Sequence, residues 1–324
     1  MKRALITGIN GQDGSYLAEH LLEQGYEVHG IVKRNSVSAN QTARIQNIFP
    51  KIRDHLYYGD LLDYSSLFRA FQKSNPDEVY NLAAQSHVRI SFDEPSYTLD
   101  TIAKGTLNIL EVVRSSFPKT KVYQASSSEM FGNSIDDDGF QRETTPMKPV
   151  SPYACAKLCA YNLSKCYRDS YNLFVSNGIL FNHESPRRGE NFVTNKVVIG
   201  AVRIKKGLQE NLQLGNLDAT RDWGHTKDYT RIMQEIMQME EPGDFVCATG
   251  QSHSIRDLCS YTFKKLGMNY RDYVVQNEKY MRPNELHDLK GDTTLIKSSM
   301  DFKLEYTFET MLDEMINIAM RDVK

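Results

Sequence analysis

Up to about residue 180 the chain alternates between short apolar runs and longer stretches whose apolar positions recur every three or four residues. The runs at 3–7, 27–32, 56–58, 78–82, 121–126 and 173–180 are aliphatic or aromatic and short enough to be strands. Between them, 15–24, 65–73, 99–115 and 153–171 carry a helical period, with Gly25 placed as a stop beyond the first. Regular alternation of strand and helix implies parallel strands joined by right-handed crossovers, with helices on both faces of one sheet.

Beyond residue 181 the alternation loosens. Helical patterns at 195–206, 254–266 and 308–321 are separated by irregular, proline- and charge-bearing segments, and no solenoid repeat occurs. The run 244–249 again reads as a buried strand that rejoins the main sheet. The expected class is α/β, a doubly wound parallel sheet with a smaller interleaved α/β domain. Its expected parts are a nucleotide-binding unit at 1–180, a returning segment near 217–250, and a mainly substrate-binding unit at 181–324. Asp136-Asp137-Asp138-Gly139 reads as a solvated loop.

Composition narrows the choice only by exclusion. With 324 residues, 40% hydrophobic, 25% charged and a formal charge of −2, nothing favours nucleic acid or an anionic membrane as partner. No apolar stretch approaches the roughly 20 residues of a membrane helix. The three apolar residues after Met1-Lys2-Arg3 are too few for a secretory signal. Five cysteines, three of them within twelve residues, suit a reducing compartment better than a disulfide framework, so a cytoplasmic protein is expected. Cys155 and Cys159 stand at i and i+4 without His or carboxylate at ligand spacing; they read as helix packing residues, and no metal is expected. His87 and His225 read as structural hydrogen-bonders.

Chemistry enters with Gly8, Gly11 and Gly14, spaced G-x-x-G-x-x-G between the first strand and the first helix, with Gln12 and Asp13 inside the turn. Such glycines make a tight turn, let a pyrophosphate approach the backbone, and pack helix closely on strand, while the helix N-terminus offers free N–H groups. The alternative is a plain strand-to-helix turn; the placement favours a dinucleotide site of Rossmann type. An NAD site usually has a carboxylate about 20 residues on. Here the second strand ends in Lys33-Arg34-Asn35-Ser36, which suits a 2′-phosphate, so NADP is expected. A basic surface turn would read the same way. Asp60 and Leu61 follow the third strand, where Asp60 is either an adenine contact or a turn former.

Ser151-Pro152-Tyr153-Ala154-Cys155-Ala156-Lys157 puts Tyr153 and Lys157 on one face at a helix start. A tyrosine with a pKa near 10 serves as a base only if its phenolate is stabilised, which a lysine one turn away can do. At the end of the fifth strand, Ser127 offers a hydroxyl and Glu129 a carboxylate. Oxidation or epimerisation needs no carboxylate there. Elimination of water does, because a proton alpha to a ketone must be removed and a hydroxide protonated.

These residues carry a resemblance. TGINGQDGSYLAEHLLEQGYEVHGIVKR, YGDLLD, VYNLAAQSHVRISF, YQASSSEMFG, SPYACAKL, NGILFNHESPRRGENFVT, LGNLDATRDWGHTKDY and YMRPNELHDLKGD together resemble the GDP-mannose 4,6-dehydratase family, extended members of the short-chain dehydrogenase/reductases, nearly end to end. The resemblance implies catalytic roles for Ser127, Glu129, Tyr153 and Lys157; Ser127 departs from the family's Thr, keeping the hydroxyl without the methyl. It implies cofactor contacts around Gly8, Gly11, Gln12, Asp13 and Gly14, and at Arg34, Asn35, Ser36, Asp60 and Leu61. Others fall on Leu82, Ala83, Gln85, Ser86 and Tyr97, and on Lys157, His183 and Arg188. Substrate contacts are implied at Ser86, Asn182, Val193, Lys196, Arg221, Arg282 and Glu285, the two arginines suiting a diphosphate.

By the same resemblance GDP-D-mannose becomes GDP-4-dehydro-6-deoxy-D-mannose with NADP retained, and some relatives also reduce the 4-ketone to a product such as GDP-rhamnose. A homodimer through the 153–171 helix, or a homotetramer, is implied as well. The rivals are another sugar-nucleotide dehydratase, a 4-epimerase or reductase, and a non-catalytic NADP sensor, which Tyr153 and Lys157 together argue against.

Overall fold

The computed structural model describes residues 1–34, 42–280 and 286–324. A seven-stranded sheet in the order β10-β6-β5-β4-β1-β2-β3 runs through it. Its members are β1 (Arg3–Thr7), β2 (Glu27–Val32), β3 (Leu56–Tyr58), β4 (Glu78–Asn81), β5 (Lys121–Ser127), β6 (Val175–Leu180) and β10 (Asp244–Cys247). All neighbours pair in parallel, with Ile6 of β1 opposite Gly30 on one side and Tyr80 on the other. The edge strand β10 arrives from far down the chain and pairs Asp244–Cys247 with Asn177–Leu180.

Each face of the sheet is covered by helices whose apolar stripe the sequence dictates. On one side α1 (Gln12–Glu23) and the helix Thr226–Gln238 bury Leu17, Leu21, Ile232, Met233 and Ile236. On the other, Tyr64–Ser74, Gly105–Ser116 and Pro152–Tyr171 bury Leu67, Phe71, Ile109, Val113 and Tyr167. Full burial of each such side chain contributes roughly 1.5–3 kcal/mol. Helix starts are fixed locally: Asp63 accepts from Ser65 N and Ser66 N, and Ser151 accepts from Ala154 N ahead of Pro152.

Two sequence expectations change here. The helix expected at 99–115 is Pro95–Leu99, a π turn at Asp100–Lys104, and Gly105–Ser116; Gly105 then abuts Leu61, where a Cβ would come 2.8 Å from the Leu61 Cβ. Cys155 and Cys159 are exposed, because Tyr153, Ala156, Lys157 and Ala160 occupy the inward stripe of their helix.

The later part of the chain builds its own core from Val193–Lys205, Ile255–Lys265 and Phe308–Asp322, where Val198, Phe263, Leu312 and Trp223 pack together. Short strands β7 (Asn182–Glu184), β9 (Thr220–His225) and β11 (Ser252–Ser254) form one small sheet, and β8 (Leu212–Leu214) pairs with β12 (Val274–Gln276). His225 caps the helix after it by accepting from Lys227 N at 3.0 Å, and its other ring nitrogen lies 2.7 Å from Glu314.

The glycines after β1 have separable duties. Gly8 has φ +68° and lies against Ala83 of the next strand's end. Gly14 has no room at all: a Cβ would sit 2.3 Å from Gly8 O and 2.7 Å from Ile9 Cα. Gly11 would bring its Cβ only to 3.1 Å from Gly8 O. Gly14→Ala is therefore expected to destabilise the cofactor-free protein by about 1–3 kcal/mol or more. Gly11→Ala should stay under about 1 kcal/mol and act on nucleotide binding instead. Urea unfolding midpoints decide this, and equal losses for the two variants would refute the division.

Candidate active site

β1 lies between β2 and β4, so the chain leaves the sheet in opposite directions from neighbouring strand ends, and a crevice opens beyond their carboxyl ends. A cleft of about 1070 Å³ fills that place. Its walls come from the segments that follow β1, β4, β5 and β6, and from the later part of the chain through Val193, Lys196, Asn216 and Arg221.

The nucleotide half is built around α1. Gly11 is the N-cap residue and carries no side-chain cap, so the first turn, Gly11 to Gly14, presents backbone to the cleft. Gln12 and Asp13 line the cleft as well, with their side chains held by the surrounding protein. Gln12 Nε2 donates to His183 O at 3.2 Å, and Ser185 Oγ donates to Gln12 Oε1 at 2.8 Å. His183 Nε2 lies 3.0 Å from Asp13 Oδ2. Arg187 reaches Ser15 Oγ and Glu19, and Arg44 Nε donates to Arg187 O at 2.9 Å. The glycine turn and the segment from Asn182 to Arg188 are thus joined into one unit.

Asp60, Leu61, Leu82, Ala83, Ser86, Tyr97 and Arg188 also line the cleft, together with Gly8. Two expected contacts do not. Arg34 is exposed with its guanidinium 6.0 Å from the Tyr58 ring, and Gln85 donates to His87 O and Thr98 Oγ1 while accepting from His87 N. Lys33 takes the wall position, with Nζ 2.9 Å from Asp60 Oδ2 and donating to Tyr97 OH at 3.0 Å. Side chains alternate across a strand, and Lys33 shares the parity of Ile31, which also faces the cleft; that parity was the available signal. Asn35, Ser36, Arg282 and Glu285 lie outside the described residues.

Ser127, Glu129, Tyr153 and Lys157 meet on one wall. β5 ends at Ser127, whose Oγ accepts from Glu129 N at 3.2 Å and so fixes the short 3₁₀ turn Ser128–Phe131. Ser127 also hydrogen-bonds the Tyr153 side chain. Lys157 Nζ is 5.8 Å from the Tyr153 ring centre and donates to Ala125 O at 2.8 Å. Burial pushes the Tyr153 phenol up to about 12, against the Ser127 bond, with the Glu129 charge adding to the rise. Burial pushes Lys157 down to about 8.

Asn182, Val193 and Lys196 also line the cleft, with Lys196 Nζ 3.8 Å from the Tyr280 ring centre. Arg221 is buried and donates to Thr220 O and Leu286 O. Its neighbour Asp222 accepts from Thr249 N, Thr249 Oγ1, Gly250 N and Gly291 N, tying β9 to the turn after β10. Burial pushes Asp222 up to about 6 against those four donors. Asp222 and Tyr280 fall inside motifs that carry the resemblance but were given no role of their own, and Lys279 was passed over. Away from the cleft, Glu27, His29 and His55 bring one possible ligand atom each within 4.8 Å of one another, but the His29 nitrogens are already engaged by Tyr57 OH at 2.9 Å and Glu27 Oε1 at 2.8 Å.

The signature of the family described as GDP-mannose 4,6 dehydratase matches residues 5–315. GDP-mannose 4,6 dehydratase 1 of Arabidopsis thaliana is 48% identical over 99% of this chain and 91% of its own length. GDP-mannose 4,6 dehydratase of Homo sapiens is 45% identical over 97% and 90%. The crystal structure of DesIV, a dTDP-glucose 4,6-dehydratase from Streptomyces venezuelae with NAD and TYD bound, shares the fold with a TM-score of 0.86 at 23% identity, covering 99% of this chain and 97% of that one. Aligned from end to end at nearly half identity, the chain belongs to the GDP-mannose 4,6-dehydratase family.

Proposed function

We propose that the protein converts GDP-D-mannose to GDP-4-dehydro-6-deoxy-D-mannose, with NADP as its retained cofactor. The observation that carries this is a buried carboxylate, Glu129, one short turn beyond the Ser127–Tyr153–Lys157 group on the cleft wall. The cleft suits a dinucleotide: an uncapped helix start at Gly11, a backbone turn too tight for side chains, and Lys33 with Tyr97 at the opposite end. Gly8 to Gly14, Leu82, Ala83 and Arg188 would hold the cofactor, with Lys33 toward its 2′-phosphate. Bound NADP supplies a hydride acceptor, and later donor, at its nicotinamide.

Tyr153 takes the proton of the C4 hydroxyl, which Ser127 orients. A neutral phenol at about 12 is a poor base, so this step relies on cationic charge beside it. Lys157, at about 8, is still mostly protonated at neutral pH and supplies that charge. Once C4 is a ketone the C5 proton is acidic; Glu129 removes it and returns a proton to the C6 oxygen, which leaves as water. Lys196 and Arg221 line the part of the cleft that takes the nucleoside diphosphate; Arg282 and Glu285 belong to the same proposal. Assembly as a homo-oligomer and a cytoplasmic location complete the reading, the latter supported by five unpaired thiols.

Proton NMR of GDP-mannose with the protein and NADP⁺ in D₂O should show a new C6 methyl group, a 4-keto sugar and deuterium at C5. Glu129→Gln should lose water elimination by roughly 10²–10⁴-fold while still oxidising C4, seen as absorbance of reduced cofactor. Undiminished elimination in that variant would deny Glu129 its role, and a parent enzyme that inverts C4 without forming a C6 methyl group would sink the dehydratase reading in favour of a 4-epimerase.

Ser127→Thr keeps both hydrogen bonds and should stay within a few fold of the parent turnover. Ser127→Ala removes the hydroxyl that orients Tyr153 and caps Glu129, and should cost roughly 10²-fold or more. Equal turnover for the two variants would deny the hydroxyl its role.

A further inference from the structure

A glycine turn built for a diphosphate contains a negative charge. Asp13 lies between Gly11 and Gly14 on the first turn of α1 and lines the cleft. A carboxylate there opposes an anionic ligand unless something cancels it. His183, from β7, stands directly against it, buried and stacked at 4.7 Å on the Tyr229 ring. Its Nε2 is 3.0 Å from Asp13 Oδ2 and its Nδ1 is 2.8 Å from Phe181 O. An ionised carboxylate and a carbonyl are both pure acceptors, so both ring nitrogens must carry hydrogen, and the ring is an imidazolium.

Resting on the NADP reading above, we propose that the charge of His183 cancels that of Asp13 at the diphosphate end of the cleft, and that losing it weakens dinucleotide binding. His183 is thereby a positioning residue: it acts on the cofactor through Asp13. The other groups around the pair are accounted for. Gln12 Nε2 donates to Asp13 Oδ1 at 3.0 Å. Arg188 bears electrostatically on both partners but is itself paired with Glu184 at 3.1 Å. Tyr153 and Lys157 feel the Asp13 charge from across the cleft, and Tyr229 presents its ring face. Neutral His183 would leave Asp13 without a counter-charge of its own.

Burial opposes charging both groups, yet each holds the other charged: His183 lies above its ordinary value, and Asp13 well below the usual carboxylate range. The pair is complete at and below the ordinary histidine value of about 6.5 and is lost as pH rises through the raised value in the folded protein. Asp13 stays ionised into strongly acidic solution. Affinity should therefore be flat on the acid side of neutrality and fall on the alkaline side.

The test is a double-variant cycle on the full-length, cofactor-free protein, reading Kd for NADP⁺ and NAD⁺ by intrinsic fluorescence between pH 6 and 9. His183→Gln keeps a donor toward Asp13 and drops the charge; Kd for both dinucleotides should rise at least about tenfold at pH 6.5. Asp13→Asn/His183→Gln removes both charges, and should return Kd to within about threefold of the parent, with the alkaline fall gone. A double variant as weak as His183→Gln, with circular dichroism showing both folded, would make the pair merely structural and overturn the proposal. So would ¹⁵N NMR showing a neutral His183 tautomer in the cofactor-free protein at pH 6.5. The two dinucleotides share the diphosphate and differ in the 2′-phosphate. A preference for NAD⁺ would therefore overturn the NADP reading while leaving the charge cancellation to stand or fall on the cycle.

Discussion

The hydroxyl of Thr7 sits where β1 and β4 stop pairing, and the site depends on what it does there. Past Asn81 the ladder ends, and Leu82 N and Ala83 N lose their strand partners; both donate to Thr7 Oγ1 at 3.0 Å. The same hydroxyl donates to Asn81 Oδ1 at 2.9 Å. Asn81 Nδ2 then donates to Gln124 Oε1 at 2.8 Å, and Gln124 Nε2 donates to Ala125 O at 3.1 Å, the carbonyl that also receives Lys157. A buried chain of hydrogen bonds thus runs across three strands, from the floor of the nucleotide turn to the lysine beside Tyr153. Such a network is costly if any member is unpaired, so each bond constrains the next, and the crevice and the catalytic wall are fixed together.

The same burial that makes this floor rigid sets the chemistry on it. Removing water drives Tyr153 and Lys157 apart on the pH scale, the phenol up to about 12 and the lysine down to about 8, because burial disfavours the charged form of each. The result is a base that ionises only when a positive charge is present and a lysine that can just supply it. Fixed dipoles replace water at such a site without having to reorganise during the reaction. Ala125 O on Lys157 and the Ser127 hydroxyl on Tyr153 are dipoles of this kind, both delivered by the carboxyl end of β5.

How far the sequence could be read followed from where its information was local. The six strands expected before residue 181 and the helices between them stand within a few residues of their places, since each carries an unbroken apolar run or stripe. Strand Thr220–His225 gave no such signal: Arg221, Asp222 and His225 are buried because of partners far along the chain, which alternation of apolar and polar residues cannot encode. The helix Thr226–Gln238 that follows was passed over with it, although Tyr229, Ile232, Met233, Ile236 and Met237 keep a helical spacing. At the site, Ser127, Glu129, Tyr153 and Lys157 converge as their spacing suggested. Lys33, which shares the parity of Ile31, lines the cleft where Arg34 does not, a difference that side-chain chemistry alone does not encode.

Ser127 shows what a departure from family pattern requires. Threonine at this position would restrict χ1 through its methyl group. A serine has no such restriction, so its hydroxyl must be held by other means. Here Glu129 N donates to Ser127 Oγ in the turn that follows, and the Tyr153 side chain bonds it from the facing helix. Those two bonds select one rotamer by direction where a methyl would have selected it by sterics. The first of them is also the bond that shapes the turn bearing Glu129. Orientation of the hydroxyl and placement of the carboxylate are therefore one geometric fact, which is why the methyl can be dispensed with while the hydroxyl cannot.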